Sequence, residues 1–264
     1  MIIFEANFQK LSMKENKKTI IFNLLIIIGV TGLYVKTVHF DFALDDKIVI
    51  TDNNFVKKGI SGIPDIFGND SMTGFLGERP DLLAGGRYRP LSLAVFAVCH
   101  QFFKLDPFYY HLLNILFYIA CCLLLAATLN RLFRPAKYEK QKYQPVIFFA
   151  TLLFALHPIH TEAVANIKGL DEILTFLFGI LTFLLIFNYY DSKKLHFLLL
   201  SFISFLLSLL AKESTLPFLL AIPVALYFFR EASLKKVFHF FFLLLIPLSF
   251  YFFILSEAFV FLFI

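Results

Sequence analysis

The stretch I-L-T-F-L-F-G-I-L-T-F-L-L-I-F-N-Y-Y, from Ile173 to Tyr190, decides the class of fold. It carries no acidic or basic side chain, and its length is close to the roughly 20 helical residues that cross a bilayer. A run of this length is too long for a buried strand, so it predicts a transmembrane helix. Similar runs flank it, and the predicted spans are 20–38, 111–130, 145–165, 171–190, 195–211, 214–229 and 237–256.

The composition of the chain agrees with a membrane protein. Of its 264 residues, 59% are hydrophobic and 16% are charged, and the mean hydropathy is +0.77. Soluble domains average about 25% charged residues. We therefore expect one all-α, polytopic membrane domain over residues 1–264, with about seven transmembrane helices. The cysteines Cys99, Cys121 and Cys122 have neither the spacing of a metal site nor that of a disulfide framework.

The net charge of +5 comes from basic residues in short clusters between the apolar runs. Such clusters indicate membrane topology rather than nucleic-acid binding, because short Lys- and Arg-rich loops stay in the cytoplasm. The segment 91–103 is too short to favour a span, so we expect an interfacial helix there. In that case the clusters all fall inside: Lys10, Lys14, Lys17, Lys18, Arg131, Arg134, Lys137, Lys140, Lys142, Lys193, Lys194, Arg230, Lys235 and Lys236.

This topology places the N-terminus in the cytoplasm and makes residues 39–110 one long extracytoplasmic loop. The first span, 20–38, has no small-residue cleavage site after it, so it is predicted to remain uncleaved. Six further spans occupy residues 111–256. We expect a multi-pass protein of a bacterial inner membrane or of the endoplasmic reticulum, with its active face extracytoplasmic.

Four groups of polar residues lie on the predicted extracytoplasmic face. Asp45 and Asp46 follow the first span, and adjacent carboxylates beside an apolar surface need a cation, a proton or hydrogen-bond donors. Arg87 and Arg89, after Gly85-Gly86, present guanidinium groups that suit a phosphate. The remaining two groups are His157, His160 and Glu162 with Lys168, Asp171 and Glu172, and Lys212 with Glu213.

Each group also has a plain structural interpretation. The acidic pair fits a solvated loop, the arginines fit non-specific anchoring at lipid headgroups, and the Lys212–Glu213 pair fits an ordinary turn. The histidines fit solvated helix ends, since Pro158 interrupts any zinc-like spacing. Their convergence on one membrane face favours a shared site. A polar site at the interface suits a substrate with a lipid tail, whereas a transporter needs ionisable residues near the bilayer midplane.

Several segments together resemble a known family. They are F-D-F-A-L-D-D-K at 40–47, I-T-D-N-N-F-V-K-K-G at 50–59, G-G-R-Y-R-P-L-S at 85–92, D-P-F-Y-Y-H-L-L-N-I-L at 106–116, L-H-P-I-H-T-E-A-V-A-N-I-K-G-L-D-E at 156–172, and L-L-A-K-E-S at 209–214. In this order they resemble the GT-C class of membrane glycosyltransferases. Within that class they resemble the membrane domain of protein O-mannosyltransferases that carry tetratricopeptide repeats.

The resemblance implies a glycosyltransferase. The donor would be a polyprenyl- or dolichyl-phosphate sugar, mannose-like, and the acceptor an extracytoplasmic protein hydroxyl on Ser or Thr. Asp45 and Asp46 match the family's acidic motif, so one would act as the base and the other would contact donor or acceptor. Arg87, Arg89 or Lys168 would stabilise the leaving phosphate, and the acidic pair is a candidate ligand for a divalent cation.

The chain ends at Ile264, where the family continues through more spans and then repeats. By this resemblance we expect that the C-terminal part of the family domain is missing here, and that the chain is a fragment, a truncated gene product or one half of a split enzyme, with the missing half as a candidate partner. A non-catalytic scaffold that binds lipid phosphate, or a fragment of a split enzyme, is the alternative to an active transferase. A transporter ranks third.

Overall fold

A computed structural model describes residues 2–77, 87–133 and 143–260. The described residues form α-helices and short 3₁₀ or π turns, with no β-strand among them. The α-helices are α1 (Ile2–Tyr34), α2 (Asn54–Lys57), α3 (Ile63–Gly68), α4 (Thr73–Leu76), α5 (Pro90–Phe103), α6 (Pro107–Leu132), α7 (Gln144–Ala155), α8 (Thr161–Ala165), α9 (Leu170–Ser192), α10 (Leu195–Ala211), α11 (Phe218–Arg230) and α12 (Leu234–Val260).

Five helical segments are long and apolar enough to cross a membrane: Lys17–His39, Pro107–Leu132, Ile167–Ser192, Glu213–Arg230 and Leu234–Ser256. A sixth is obtained if α7 and the bent segment after it count as one span. Helix α10 is apolar and has 17 residues, which corresponds to roughly 26 Å of helix and is near the thickness of the hydrocarbon core. The prediction of an all-α polytopic membrane protein is confirmed.

The span predicted at 145–165 is broken rather than continuous. Helix α7 ends at Ala155, and the segment Pro158–Ala165 leaves it at an angle of 45°. His157 is extended (φ −69°, ψ 129°), because a residue before proline is disfavoured in the helical region. The break carries His160 and Glu162 away from the axis of α7 and toward the start of α9.

Helix α9 lies at the centre of the fold. Its Leu174 packs with the first loop and α5, Ile173 packs with α1 and α6, and Ile186 packs with α10 to α12. On α10, Ser208 donates to the carbonyl of Thr175 at 2.7 Å, and Ser204 donates to that of Phe178 at 2.8 Å. Small hydroxyl residues let helices approach closely in lipid. This close α9–α10 pair places the start of α9 beside the turn after α10.

The segment between α1 and α5 folds back against α5. Asn53, fully buried, caps α2 by accepting from the N–H groups of Phe55 and Val56, and it donates to the carbonyl of Ile48 at 3.1 Å. Ser71 pairs with the stretch before α5, since its N–H donates to the Arg87 carbonyl at 2.8 Å. Its hydroxyl accepts from the Arg89 N–H, also at 2.8 Å. These bonds hold both arginines against the first loop.

Some sequence features lie outside the described residues. They are Gly85 and Gly86 of the predicted phosphate-binding stretch, and Arg134, Lys137, Lys140 and Lys142 of the predicted cytoplasmic cluster. The helix predicted at 91–103 is found as α5, from Pro90 to Phe103.

Candidate functional site at one end of the helices

Charged side chains from four parts of the chain meet at one end of the helix assembly. They come from the turn after α1, the stretch before α5, the beginning of α9 and the turn after α10, and the bent segment after α7 adds His160 and Glu162. The arginine before α5 and the glutamate after α10 are 124 positions apart in the chain and form an ion pair. The structure therefore brings together Asp45, Asp46, Arg87, Arg89, His160, Glu162, Lys168, Asp171, Glu172, Lys212 and Glu213.

The two carboxylates of the acidic pair have different environments. Asp46 is 1% exposed, and its two oxygens accept backbone N–H groups, one from Ala43 at 2.8 Å and one from Lys168 at 3.0 Å. Burial raises the pKa of the Asp46 carboxyl, and these two hydrogen bonds oppose that shift. Asp45 is exposed and lines two of the cavities described below. Asp46 therefore joins two loops, while the carboxylate of Asp45 is open to a ligand.

The turn that carries this pair has an unusual backbone. Leu44 has a φ of 46°, a left-handed conformation that is uncommon for a residue with a branched side chain. The Asp46 carboxylate accepts the Ala43 N–H across this turn. That hydrogen bond helps to offset the backbone strain at Leu44.

Arg89 is the centre of an ion-pair network. Its Nη1 lies 3.0 Å from Asp171 Oδ2, and its Nη2 and Nε contact the two oxygens of Glu213 at 2.5 and 3.2 Å. The side chain of Asp171 is only 3% exposed, so these partners offset the cost of burying its carboxylate. Lys168 Nζ contributes a longer contact to Asp171 of 3.6 Å. Arg89 thus connects the stretch before α5 to the start of α9 and to the turn after α10.

A second ion pair joins the same helices. Lys212, in the turn after α10, pairs with Glu172 in the first turn of α9. The carboxylate of Glu172 is more accessible than that of Asp171, since the Glu172 side chain is 46% exposed. Acidic residues in the first turn of a helix also interact favourably with its dipole.

Three neighbouring cavities meet at these residues. One, of about 100 Å³, lies between Arg87, Arg89 and Asp45 and ends on the apolar side chain of Phe96. A larger one, of about 410 Å³, is lined by His160, Glu162, Asn166 and Glu172, and it shares Asp45, Lys168 and Asp171 with the first.

The third cavity, of about 240 Å³, has a mainly apolar lining that includes Tyr118, Phe154 and Phe176. It shares His160 and Glu172 with the larger polar cavity. The site thus offers adjacent spaces for the polar head group and the apolar chain of one ligand.

The two histidines behave differently. His160 borders both the polar and the apolar cavity, and its ring lies 4.3 Å from that of Phe154. His157 lines none of the three cavities, and its Nδ1 accepts the N–H of Ile159 at 3.2 Å. The centroids of the His157 and His160 rings are 6.2 Å apart. His160 therefore belongs to the site, whereas His157 caps the break after α7.

The donor set does not fit a metal ion. Among residues 2–77, 87–133 and 143–260, no group of three or more His, Cys, Asp or Glu side chains is arranged to hold one. Both oxygens of Asp46 already accept backbone N–H groups, which leaves Asp45 as the open carboxylate of the predicted pair. We assign no step to a divalent cation.

Asn114 was not among the residues predicted for the site. It is fully buried in α6, and its Nδ2 donates to the carbonyls of Asn166 and Ile167 at 2.9 and 3.2 Å. That loop supplies the Lys168 N–H to Asp46, so Asn114 positions the acidic pair from a distance. The available signal was a polar amide inside an apolar span, which is costly unless it has partners.

The geometry defines a polytopic helical membrane protein with a charged site at one end of its helices, next to an apolar cavity. Comparison with curated proteins confirms the predicted resemblance to the protein O-mannosyltransferases. The chain is 32% identical to human protein O-mannosyl-transferase TMTC1 over 151 residues, which are 57% of this chain and 16% of the relative. It is 30% identical to protein O-mannosyl-transferase F38B6.6 of Caenorhabditis elegans over 211 residues, 77% of this chain and 27% of the relative.

A third relative is human protein O-mannosyl-transferase TMTC3, 32% identical over 162 residues, or 61% of this chain and 16% of the relative. The chain therefore spans less than a third of the length of these relatives. No protein-family model and no solved structure matches the chain.

Proposed function

We propose that this chain takes part in transfer of a mannose-like sugar from a polyprenyl- or dolichyl-phosphate carrier to a protein Ser or Thr hydroxyl on the extracytoplasmic side. The observation that carries the proposal is the position of Asp45. Its exposed carboxylate lines the smaller cavity together with Arg87 and Lys168, and it also lines the larger one. A base and two cations around one space suit displacement of a phosphate.

In the proposed step, Asp45 accepts the proton of the acceptor hydroxyl as its oxygen attacks the anomeric carbon. The bond between that carbon and the phosphate oxygen breaks, and the lipid phosphate leaves with both electrons. Attack from the opposite face inverts the anomeric configuration. General-base help of this kind contributes about 10² to 10⁴ in rate.

The leaving phosphate needs cations that are not already paired. Arg89 is engaged by Asp171 and Glu213, so its role in the proposal is to position these helices. Arg87 is exposed beside the smaller cavity, and its side chain is assigned to the phosphate. Lys168 lines the same cavity, and its only ion-pair contact among the described residues is the long one of 3.6 Å to Asp171, so its ammonium group is assigned a secondary role toward the phosphate. The apolar cavity beside His160 and Phe154 suits the first units of the lipid chain.

The proposed topology follows from the distribution of charge. Helix α9 begins at the site and ends at Ser192, beside Lys193 and Lys194, and α12 begins next to Lys235 and Lys236. Short basic loops stay in the cytoplasm. The site end is therefore assigned to the extracytoplasmic side, in a bacterial inner membrane or the endoplasmic reticulum.

The test uses the purified chain in lipid nanodiscs, a radiolabelled mannosyl carrier phosphate and a Ser/Thr-rich peptide. Binding of the carrier and transfer of label to the peptide are measured separately. Arg87→Gln is expected to weaken carrier binding by about tenfold, because it removes a charge-assisted contact to phosphate. Lys58→Gln, an exposed cation of the same loop paired with Asp65, is the matched control.

Carrier binding without transfer would favour the non-catalytic scaffold. Equal binding by the wild type, Arg87→Gln and Lys58→Gln would contradict the assignment of Arg87. Absence of both binding and transfer would contradict the proposed function.

A further inference from the structure

The end of the helices opposite the candidate site holds a second group of basic residues that the proposed function does not use. Helix α9 has 23 residues, which is roughly 35 Å of helix and about the thickness of a bilayer core. At its far end are Lys193 and Lys194, and the start of α12 adds Lys235 and Lys236.

Two of these lysines converge on one aromatic ring. Lys193 Nζ lies 4.4 Å from the centroid of the Tyr190 ring, and Lys236 Nζ lies 5.6 Å from the same centroid. The Phe240 ring contacts both Tyr189 and Tyr190, at 6.1 and 5.9 Å, and so holds α12 against α9. Cation–π contacts attract each ammonium to the ring, but they do not offset the repulsion between the two charges.

No carboxylate neutralises this pair in the described part of the chain. The adjacent Asp191 is occupied, because its oxygens contact Arg230 Nε and Nη2 at 2.8 and 3.0 Å and Arg131 Nη2 at 3.0 Å. Within the described ranges, neither Lys193 nor Lys236 forms an ion pair with an acidic side chain. The two ammonium groups beside the Tyr190 ring therefore keep their hydrogen-bond donors for an outside anion.

The local backbone favours an anion as well. Helices α10 and α12 both begin at this end, and neither has an acidic residue in its first turn. Helix N-termini carry a partial positive charge, so lysines there add to it rather than offset it. The excess positive potential is lowered by a bound negative group.

We propose that Lys193 and Lys236, presented over Tyr190, bind the phosphodiester of an anionic phospholipid. Each ammonium donates to a non-bridging phosphate oxygen, and its contact with the Tyr190 ring keeps it beside that ring. A phospholipid is favoured over a soluble anion because tyrosines at the ends of spanning helices lie at headgroup level. Lysines at that depth are attracted to anionic lipid.

The test uses the full chain reconstituted in phosphatidylcholine vesicles with and without phosphatidylglycerol, followed by native mass spectrometry of the detergent-extracted protein. The wild type is expected to retain phosphatidylglycerol. The double variant Lys193→Gln/Lys236→Gln should lose about tenfold or more of it, since both phosphate contacts are removed. The variant Lys193→Arg/Lys236→Arg keeps two cations and should retain the lipid.

The matched control is Lys194→Gln/Lys235→Gln, which removes the same charge at adjacent positions that make no aromatic contact with Tyr190. Retention within about twofold of the wild type is expected, because only the general surface potential changes. Equal loss in both double variants, or no loss in either, would overturn the site. Displacement of the lipid by inorganic phosphate would assign the site to a soluble anion and overturn the lipid assignment.

Discussion

Replacing Asp45 and Asp46 separately by asparagine distinguishes a chemical role from a structural one in adjacent residues. The Asp45 carboxylate is exposed and accepts no protein hydrogen bond among those found, so Asp45→Asn should leave the free energy of unfolding nearly unchanged. It removes the proton acceptor that we assign to the reaction. Sugar transfer should fall by about 10² or more, equivalent to about 3 kcal/mol or more in the barrier.

Asp46→Asn should show the opposite pattern. An amide has one acceptor oxygen, so one of the two backbone N–H groups, of Ala43 or of Lys168, loses its partner in a site that is 1% exposed. Leaving a buried donor unpaired costs about 1–3 kcal/mol. Burial disfavours the charged form of Asp46, as its raised pKa indicates, so replacing it by a neutral amide recovers part of that cost. We therefore expect the free energy of unfolding to fall by an amount in the lower half of this range.

The assay combines transfer kinetics with thermal unfolding. The chain contains no Trp, but Cys99, Cys121 and Cys122 are buried, so a thiol-reactive dye reports unfolding. Asp41→Asn is the matched control for Asp45→Asn, because Asp41 is an exposed carboxylate of the same segment that lines none of the three cavities. Full transfer by folded Asp45→Asn would refute the assignment of the base. Unchanged stability of Asp46→Asn would refute its structural role.

Arg89→Met should lower the free energy of unfolding by about 3 kcal/mol, because it leaves the buried Asp171 without its closest cation; a change below the error of thiol-dye unfolding would contradict this. Burial raises the pKa of Asp46 in the folded chain above its ordinary value of 3.8. The protonated carboxyl therefore contributes its full stability below about pH 3.8, and this contribution is lost as the pH rises through the raised pKa of the folded state. Unfolding followed by circular dichroism should therefore show the wild type losing stability relative to Asp46→Asn above about pH 4, and parallel curves would count against it. In a cysteine-free background, a cysteine at Asn69 should react with an impermeant reagent in intact cells and one at Ser192 should not; labelling at Ser192 would invert the topology.

Much of the fold could be predicted from local properties of the chain. Runs such as 173–190 contain no charge, and in lipid an apolar segment of that length satisfies its backbone only as a helix. The break at His157 was not predicted as a bend, although Pro158 was noted as an interruption. A residue before proline is disfavoured as helical, but whether the chain bends there depends on the packing around it.

The sequence by itself determined which residues could form the site, because charged side chains are expensive in apolar runs and therefore collect at helix ends. Only the tertiary structure decided what each of them does. Arg87 and Arg89 look equivalent in the chain, but Arg89 meets Asp171 and Glu213, and Arg87 faces a cavity. Asp45 and Asp46 differ because one turn buries the second carboxylate against the N–H of a residue 122 positions away and leaves the first exposed. Such contacts depend on how the helices pack, and no local pattern encodes them.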